Sequence, residues 1–185
     1  MFLNPPDINK ISENIVDEKS QEYIESDDFG AFPPLGILYV MAYLEKNASH
    51  HKLYFKDCVA ERYGHQKLVD YVTGIKPDFV AMTSFTISMI DVVLAAQNIR
   101  KIVPEAHLCL GGHHPIAFPF EAASLPEFDS IVVGEGEIVF TELVKAIEDK
   151  KPFTEITGVY TNESIQKYRN TTLKDRRFLN KVKVP

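Results

Sequence analysis

Cysteine is nearly absent from these 185 residues: there are two, Cys58 and Cys109, far apart in the sequence. Two such thiols make no CxxC site, no three-cysteine cluster motif and no disulfide framework. No run of about 18 apolar residues occurs, which excludes an encoded transmembrane helix. Met1 to Lys10 lacks the basic and apolar pattern of a secretory signal, so a reducing, cytoplasmic setting is expected. There is no GxxxxGK[ST] loop and no GxGxxG after the first apolar segment, which argues against a P-loop and against dinucleotide binding. Excess positive charge is missing too. The net charge of −6 argues against nucleic-acid partners.

The composition is that of a folded chain: 45% apolar, 25% charged and 11% aromatic. Charge is unevenly placed. Residues 1–32 carry eight acids and two bases, a net −6, and residues 161–185 carry seven bases and two acids, a net +5. The basic end reads as a solvated linker, with phosphate contact as the alternative.

The middle alternates two apolar periods. Leu35 to Leu44 is almost continuously apolar after Pro33-Pro34, which predicts a helix buried on most sides. Lys52 to Phe55 reads as a short strand. Leu68, Tyr71, Val72 and Ile75 fall at i, i+3, i+4 and i+7, one face of a helix. Phe79 to Met82 is a buried strand ending in Thr83-Ser84. Ser88 and Asp91 form a capping-box pattern for a helix reaching about Val103. Leu108-Cys-Leu110 runs into Gly111-Gly112, and Ile131-Val-Val133 into Gly134-Glu-Gly136. The last helix presents Phe140, Leu143, Val144 and Ile147. Residues 156–170 read as a β-hairpin, Ile156–Tyr160 against Ile165–Tyr168.

Short apolar strands alternating with helices imply a parallel sheet covered on both faces. With Met1-Phe2-Leu3 as a fifth strand, the expected fold is α/β: a five-stranded parallel, doubly wound sheet of flavodoxin-like (Rossmann-like) order with a C-terminal β-hairpin. The expected division is an α/β domain over 1–150, with a polar insert at 7–32, and a hairpin and linker over 151–185. The insert is expected to be mobile or to fold over the rim as a partial lid.

Right-handed crossovers bring every strand's carboxyl end to one rim. Asn4-Pro5-Pro6, Asp57-Cys58, Thr83 to Thr86, Gly111 to Pro115 and Gly134 to Glu137 meet there. Gly111-Gly112 either forms a plain tight turn or lets something broad approach the backbone. Gly134-Glu135-Gly136 opens a helix with free N–H groups. Other chemistry is weaker. Cys58 reads as a nucleophile or as a small buried hydrophobe. Glu135 and Glu137 read as an acid pair or as ordinary first-turn acids. His113-His114 lacks partners at ligand spacing, so no metal site is expected there. His50-His51 reads as surface, and Pro115 is expected to hold His114 extended.

Asn4-Pro5-Pro6, Phe32 to Tyr39 with Ala42-Tyr-Leu-Glu45, Pro77 to Val80 with Thr83 to Thr86, Gly111-Gly112-His113 and Val132 to Glu137 occur in this order. The series resembles the N-terminal cobalamin-binding domain of class B radical SAM proteins, a group that includes anaerobic magnesium-protoporphyrin ester cyclases and cobalamin-dependent methyltransferases. The resemblance implies cobalamin held at the rim. Its contacts would come from Asn4 and Pro5; from Ser84, Phe85 and Thr86; from Gly111, Gly112 and His113; and from Gly134, Glu135 and Gly136. It also implies a following barrel with a [4Fe–4S] cluster and S-adenosylmethionine, so the residues up to Pro185 are expected to be a truncated or free-standing binding domain, non-catalytic alone. Asn9 stands where the DxHxxG motif of other cobalamin proteins has its cobalt-ligating histidine, and Ser12 stands at its glycine. The residues leave open an alternative: a flavodoxin-like or receiver-like signalling domain without cobalamin.

Overall fold

A computed structural model describes residues 1–8 and 32–169. The expected insert, with Asn9 and Ser12, lies almost wholly outside the described residues, as does the basic end beyond 169. The described chain runs β1 (Phe2–Asn4), α1 (Leu35–Asn47), β2 (Phe55–Asp57), α2 (His65–Ile75), β3 (Phe79–Ser84), α3 (Met89–Ile102), β4 (His107–Gly112), α4 (His113–Ala117), α5 (Pro119–Ser124), β5 (Ser130–Val132), α6 (Gly136–Glu148), β6 (Val159–Tyr160) and α7 (Asn162–Gln166). A single 3₁₀ turn at Thr86–Ser88 joins β3 to α3.

The strand order is β2-β1-β3-β4-β5-β6. The first five strands are parallel, as expected for a doubly wound sheet, and β6 is antiparallel to β5. Side chains alternate across the sheet with period two. Leu3, Val80, Met82, Leu108, Leu110 and Ile131 face α2, α3, α5 and α7. Phe2, Ala81, Cys109 and Val132 face α1 and α6. Phe140 of α6 lies against both Phe2 and Phe79, with ring centroids 5.3 and 5.2 Å away.

Local departures from the expectations have local causes. The antiparallel C-terminal strand is present, but it pairs with β5 and not with residues 165–168. Gly158, at φ 96°, turns the chain, and its carbonyl accepts from Val133 N–H at 2.9 Å. The Thr161-Asn-Glu-Ser164 stretch is a helix cap and not a hairpin turn. The Thr161 hydroxyl accepts from Ser164 N–H, and the Ser164 hydroxyl accepts from Thr161 N–H, which starts α7. Ser88 and Asp91 do not form the expected cap. The Ser88 hydroxyl accepts from Phe85 N–H, and Asp91 turns inward. The first helix is less enclosed than its composition implies. Only Ile37 and Leu44 of α1 are buried, while Leu35 and Tyr39 stay exposed, because α1 covers a single face of the sheet.

His114 is helical despite Pro115. In the first turn of α4 the missing proline N–H would have had no acceptor, and burial of the imidazole against Phe118 outweighs the pre-proline preference.

Candidate functional site

The five strand ends expected to converge do so, and the loops of neighbouring strands are tied to one another. Asn4, at the end of β1, donates its side-chain N–H to Asp57 Oδ1 at 2.8 Å. The same oxygen accepts from Val59 N–H and Ala60 N–H, and Asn4's carbonyl accepts from Cys58 N–H at 2.9 Å. Pro5 and Pro6 are buried. The Asn4-Pro5 corner is therefore a fixed wall between the first two loops.

The neighbouring corner is pinned by Asp91. Its carboxylate is fully buried in the first turn of α3. One oxygen accepts from Ile8 N–H at 2.9 Å, and the other meets His65 Nε2 at 2.8 Å.

At the centre, β3 and β4 run in register to Ser84 opposite Gly112. The buried Ser84 hydroxyl donates to the Gly111 carbonyl at 2.9 Å. The two glycines differ. Gly112 has φ +97°, and a Cβ there would meet Ser84 N and O at 2.6 Å. Gly112 is thus required by the approach of the adjacent strand, the structural side of the two readings. At Gly111 a Cβ would meet only Met82 O, at 3.9 Å, so that position is open.

Beyond them Phe85 and His113 stack, with centroids 4.7 Å apart and planes 13° from parallel. Both are exposed. His114 is buried, with Nδ1 3.3 Å from the Thr86 hydroxyl and Nε2 unpartnered. Desolvation holds its pKa below the ordinary imidazole value, which favours a neutral ring.

After β5, Gly134 sits at φ 101° and Glu135 precedes α6 with no side-chain cap. The first-turn N–H groups of α6 therefore lack a capping side chain. Gly136 has a packing reason as well: a Cβ there would lie 2.8 Å from Val40 Cγ2 of α1.

Several rim residues escaped the sequence reading. Ile87, Ile90, Ile116 and Phe118 are exposed apolar side chains on the segments following β3 and β4. Ile87 is 69% exposed, and nothing in the sequence marked it as surface. Cys58 and Cys109 resolve as buried hydrophobes, since burial pushes both thiols up to about 12.

The rim thus joins an apolar platform, uncapped backbone donors and fixed glycine turns, at the carboxyl ends of a parallel sheet where doubly wound proteins hold ligands. Residues 29–144 match the B12 binding domain family, and the chain belongs to it.

The chain is 34% identical over 120 residues to the anaerobic magnesium-protoporphyrin IX monomethyl ester cyclase of Cereibacter sphaeroides, covering 64% of this chain and 19% of that protein. It is 29% identical over 133 residues to an uncharacterised methyltransferase of Pyrococcus horikoshii, covering 71% of this chain and 28% of that one. The chain therefore spans less than a third of these relatives. In fold it matches TsrM of Kitasatospora setae, a radical S-adenosylmethionine methyltransferase solved with cobalamin and a [4Fe-4S] cluster bound. The TM-score is 0.64 at 17% identity, over 71% of this chain and 25% of that one. Among the described residues no helix is long and apolar enough to cross a membrane.

Proposed function

We propose that this chain holds cobalamin on the carboxyl rim of its sheet, as the cofactor-carrying part of a larger radical SAM protein of the reducing cytoplasm. The observation that carries the reading is the convergence of the stacked Phe85 and His113 rings, the open Gly111 and the uncapped start of α6 on one rim. A corrin is broad, largely apolar on its faces and fringed with amides. Apolar rings suit its faces, and backbone N–H groups suit its amide carbonyls and tail phosphate.

Each residue has a definite task in this reading. Phe85 and His113 form a flat support, and Ile87, Ile116 and Phe118 extend it and exclude water. Gly111 leaves the backbone accessible. The N–H groups after Gly134, including those of Glu135 and Gly136, donate to polar edges. Ser84 sets the spacing of β3 and β4 through Gly111, and Thr86 holds the buried His114. Asn4 and Pro5 bound the site at β1. Bound there, cobalamin supplies methyl or single-electron transfer to a partner barrel carrying the [4Fe–4S] cluster and S-adenosylmethionine. The two buried thiols of this chain make no ligand set for such a cluster, so the chain alone performs no reductive cleavage of S-adenosylmethionine.

The test is direct. The chain is incubated with hydroxocobalamin and desalted, and its visible spectrum is recorded. Retained corrin absorbance is expected, reduced at least tenfold in Phe85→Asp. A folded chain that retains none refutes the proposal.

A further inference from the structure

The opposite edge of the sheet holds a second cluster that the rim chemistry does not use. α1 and α6 pack side by side, and both end at that edge. His50 and His51 follow α1 in a turn, with His51 N–H donating to Ala48 O at 3.3 Å, and Glu148 is the last residue of α6.

Adjacent residues ordinarily point apart, but the turn folds these two rings onto each other. Their centroids are 4.1 Å apart and their planes 38° from parallel. Both Nε2 atoms are thereby aimed at one carboxylate. His50 Nε2 lies 2.9 and 3.1 Å from the two Glu148 oxygens, and His51 Nε2 lies 3.6 Å from Oε2. His51 Nε2 is buried and has no hydrogen-bond partner among the described residues. The three donor atoms all lie within 4.8 Å of one another.

We infer that His50, His51 and Glu148 form a binding site for a borderline divalent transition cation of the Zn²⁺ class. The donor set is two imidazole nitrogens and one carboxylate oxygen, the mixture that suits zinc and its neighbours and not calcium or magnesium. Tetrahedral zinc at its usual bond lengths separates its ligand atoms by about 3.3 Å, so side-chain adjustments within the cluster suffice to close it. The charge balance is favourable. Two neutral rings and one carboxylate face the ion, and the carbonyl ends of α1 and α6 add partial negative charge. Lys151, three positions on, is occupied by Asp149 at 2.7 Å and does not compete for Glu148. A bound ion satisfies the orphaned His51 nitrogen and clips the α1–β2 turn to the end of α6, with water completing its coordination.

The chain, freed of metal with a chelator, is titrated with Zn²⁺ by calorimetry, and with Co²⁺ as a spectroscopic probe. One ion per chain with micromolar or tighter affinity, a raised melting temperature and the intense visible bands of low-coordinate Co(II) are expected. His51→Ala and Glu148→Gln each weaken binding at least tenfold and abolish those bands. His50→Ala, which removes an exposed side chain, does the same and guards against a variant that fails to fold. His113→Ala, on the other edge, binds as the unaltered chain does. Affinity no better than millimolar, or binding that survives His51→Ala and Glu148→Gln, overturns the assignment.

Discussion

The two edges of the sheet solve the same problem in opposite ways. At the amino edge, away from the His50–His51 turn, most buried polar groups are satisfied by the protein itself. Arg100 donates to the carbonyls of Pro104, Ala106 and Glu127 and pairs with Asp129 at 2.8 Å. Asp129 in turn accepts from Leu108 N–H, His107 meets the Ser130 hydroxyl, and the Met1 α-amino group donates to Phe79 O at 2.7 Å. At the carboxyl rim, α1, α4 and α6 begin without side-chain caps, and large apolar side chains stand in water. Where an edge completes its own hydrogen bonds, as around Arg100 and Asp129, it supports the fold and offers a ligand little. An edge that leaves donors and apolar area unused has binding capacity, because a ligand recovers what folding left unsatisfied.

The largest expected effect tests whether the rim glycines act alike. Gly112→Leu should cost about 3 kcal/mol or more of stability, since the side chain meets Ser84 backbone at a positive φ. Gly111→Leu should cost about 1 kcal/mol or less, yet lower cobalamin retention at least tenfold. Urea unfolding and the desalting assay separate the two quantities. Equal destabilisation by both variants would remove the distinction between a packing glycine and an access glycine.

Next comes a pH effect confined to the amino edge. Burial lowers the Met1 α-amine from its ordinary 8.0 to about 6. Between those values the unfolded chain binds the proton and the folded chain does not, so stability rises with pH across this window and falls as pH drops from 8 to 6. The full span is about 2–3 kcal/mol. Urea midpoints at pH 5.5, 6.5, 7.5 and 8.5 check it. A stability that falls over this range would contradict the buried amine.

Smaller again is Arg100→Met, which should cost about 1–3 kcal/mol through the unpaired carbonyls it leaves. Cobalamin retention should be unchanged, because Arg100 belongs to the other edge. A parallel loss of retention would mean that the edges are coupled.

The same contrast explains what could be read from the sequence. The parallel strands and their order were legible because buried strands are written as unbroken apolar runs between turn residues, as at Phe79–Met82 and Leu108–Leu110. The rim was legible because glycine and hydroxyl residues cluster at those strand ends. The hairpin expected at 156–170 was half right. β6 exists, but Ile165 is a buried helix residue, and short apolar patterns do not separate strand from helix. The exposed platform of Ile87, Ile116 and Phe118 was hidden because an apolar residue in a short segment is read as core by default. The His50–His51 pair was read as plain surface for a different reason. Its partner, Glu148, lies on another helix, and only the packing of α1 on α6 brings the three together.

The smallest expected effect is no change at all, and it concerns the two rim histidines. His113 is committed to the face of Phe85, and His114 is buried with Nδ1 at Thr86. The His113 ring is held face to face on Phe85 and the unpartnered His114 Nε2 is buried, so either ring would have to leave its place to reach a cobalt. Cobalamin bound to this chain is therefore expected to lack a histidine on cobalt, leaving water or no strong donor on that face. Reduced to the cob(II) state and examined by electron paramagnetic resonance, the complex should give the same spectrum in the unaltered chain and in His113→Ala. Nitrogen superhyperfine splitting that vanishes in His113→Ala would place that ring on the metal. The stacked Phe85–His113 pair would then be a resting arrangement that opens on binding.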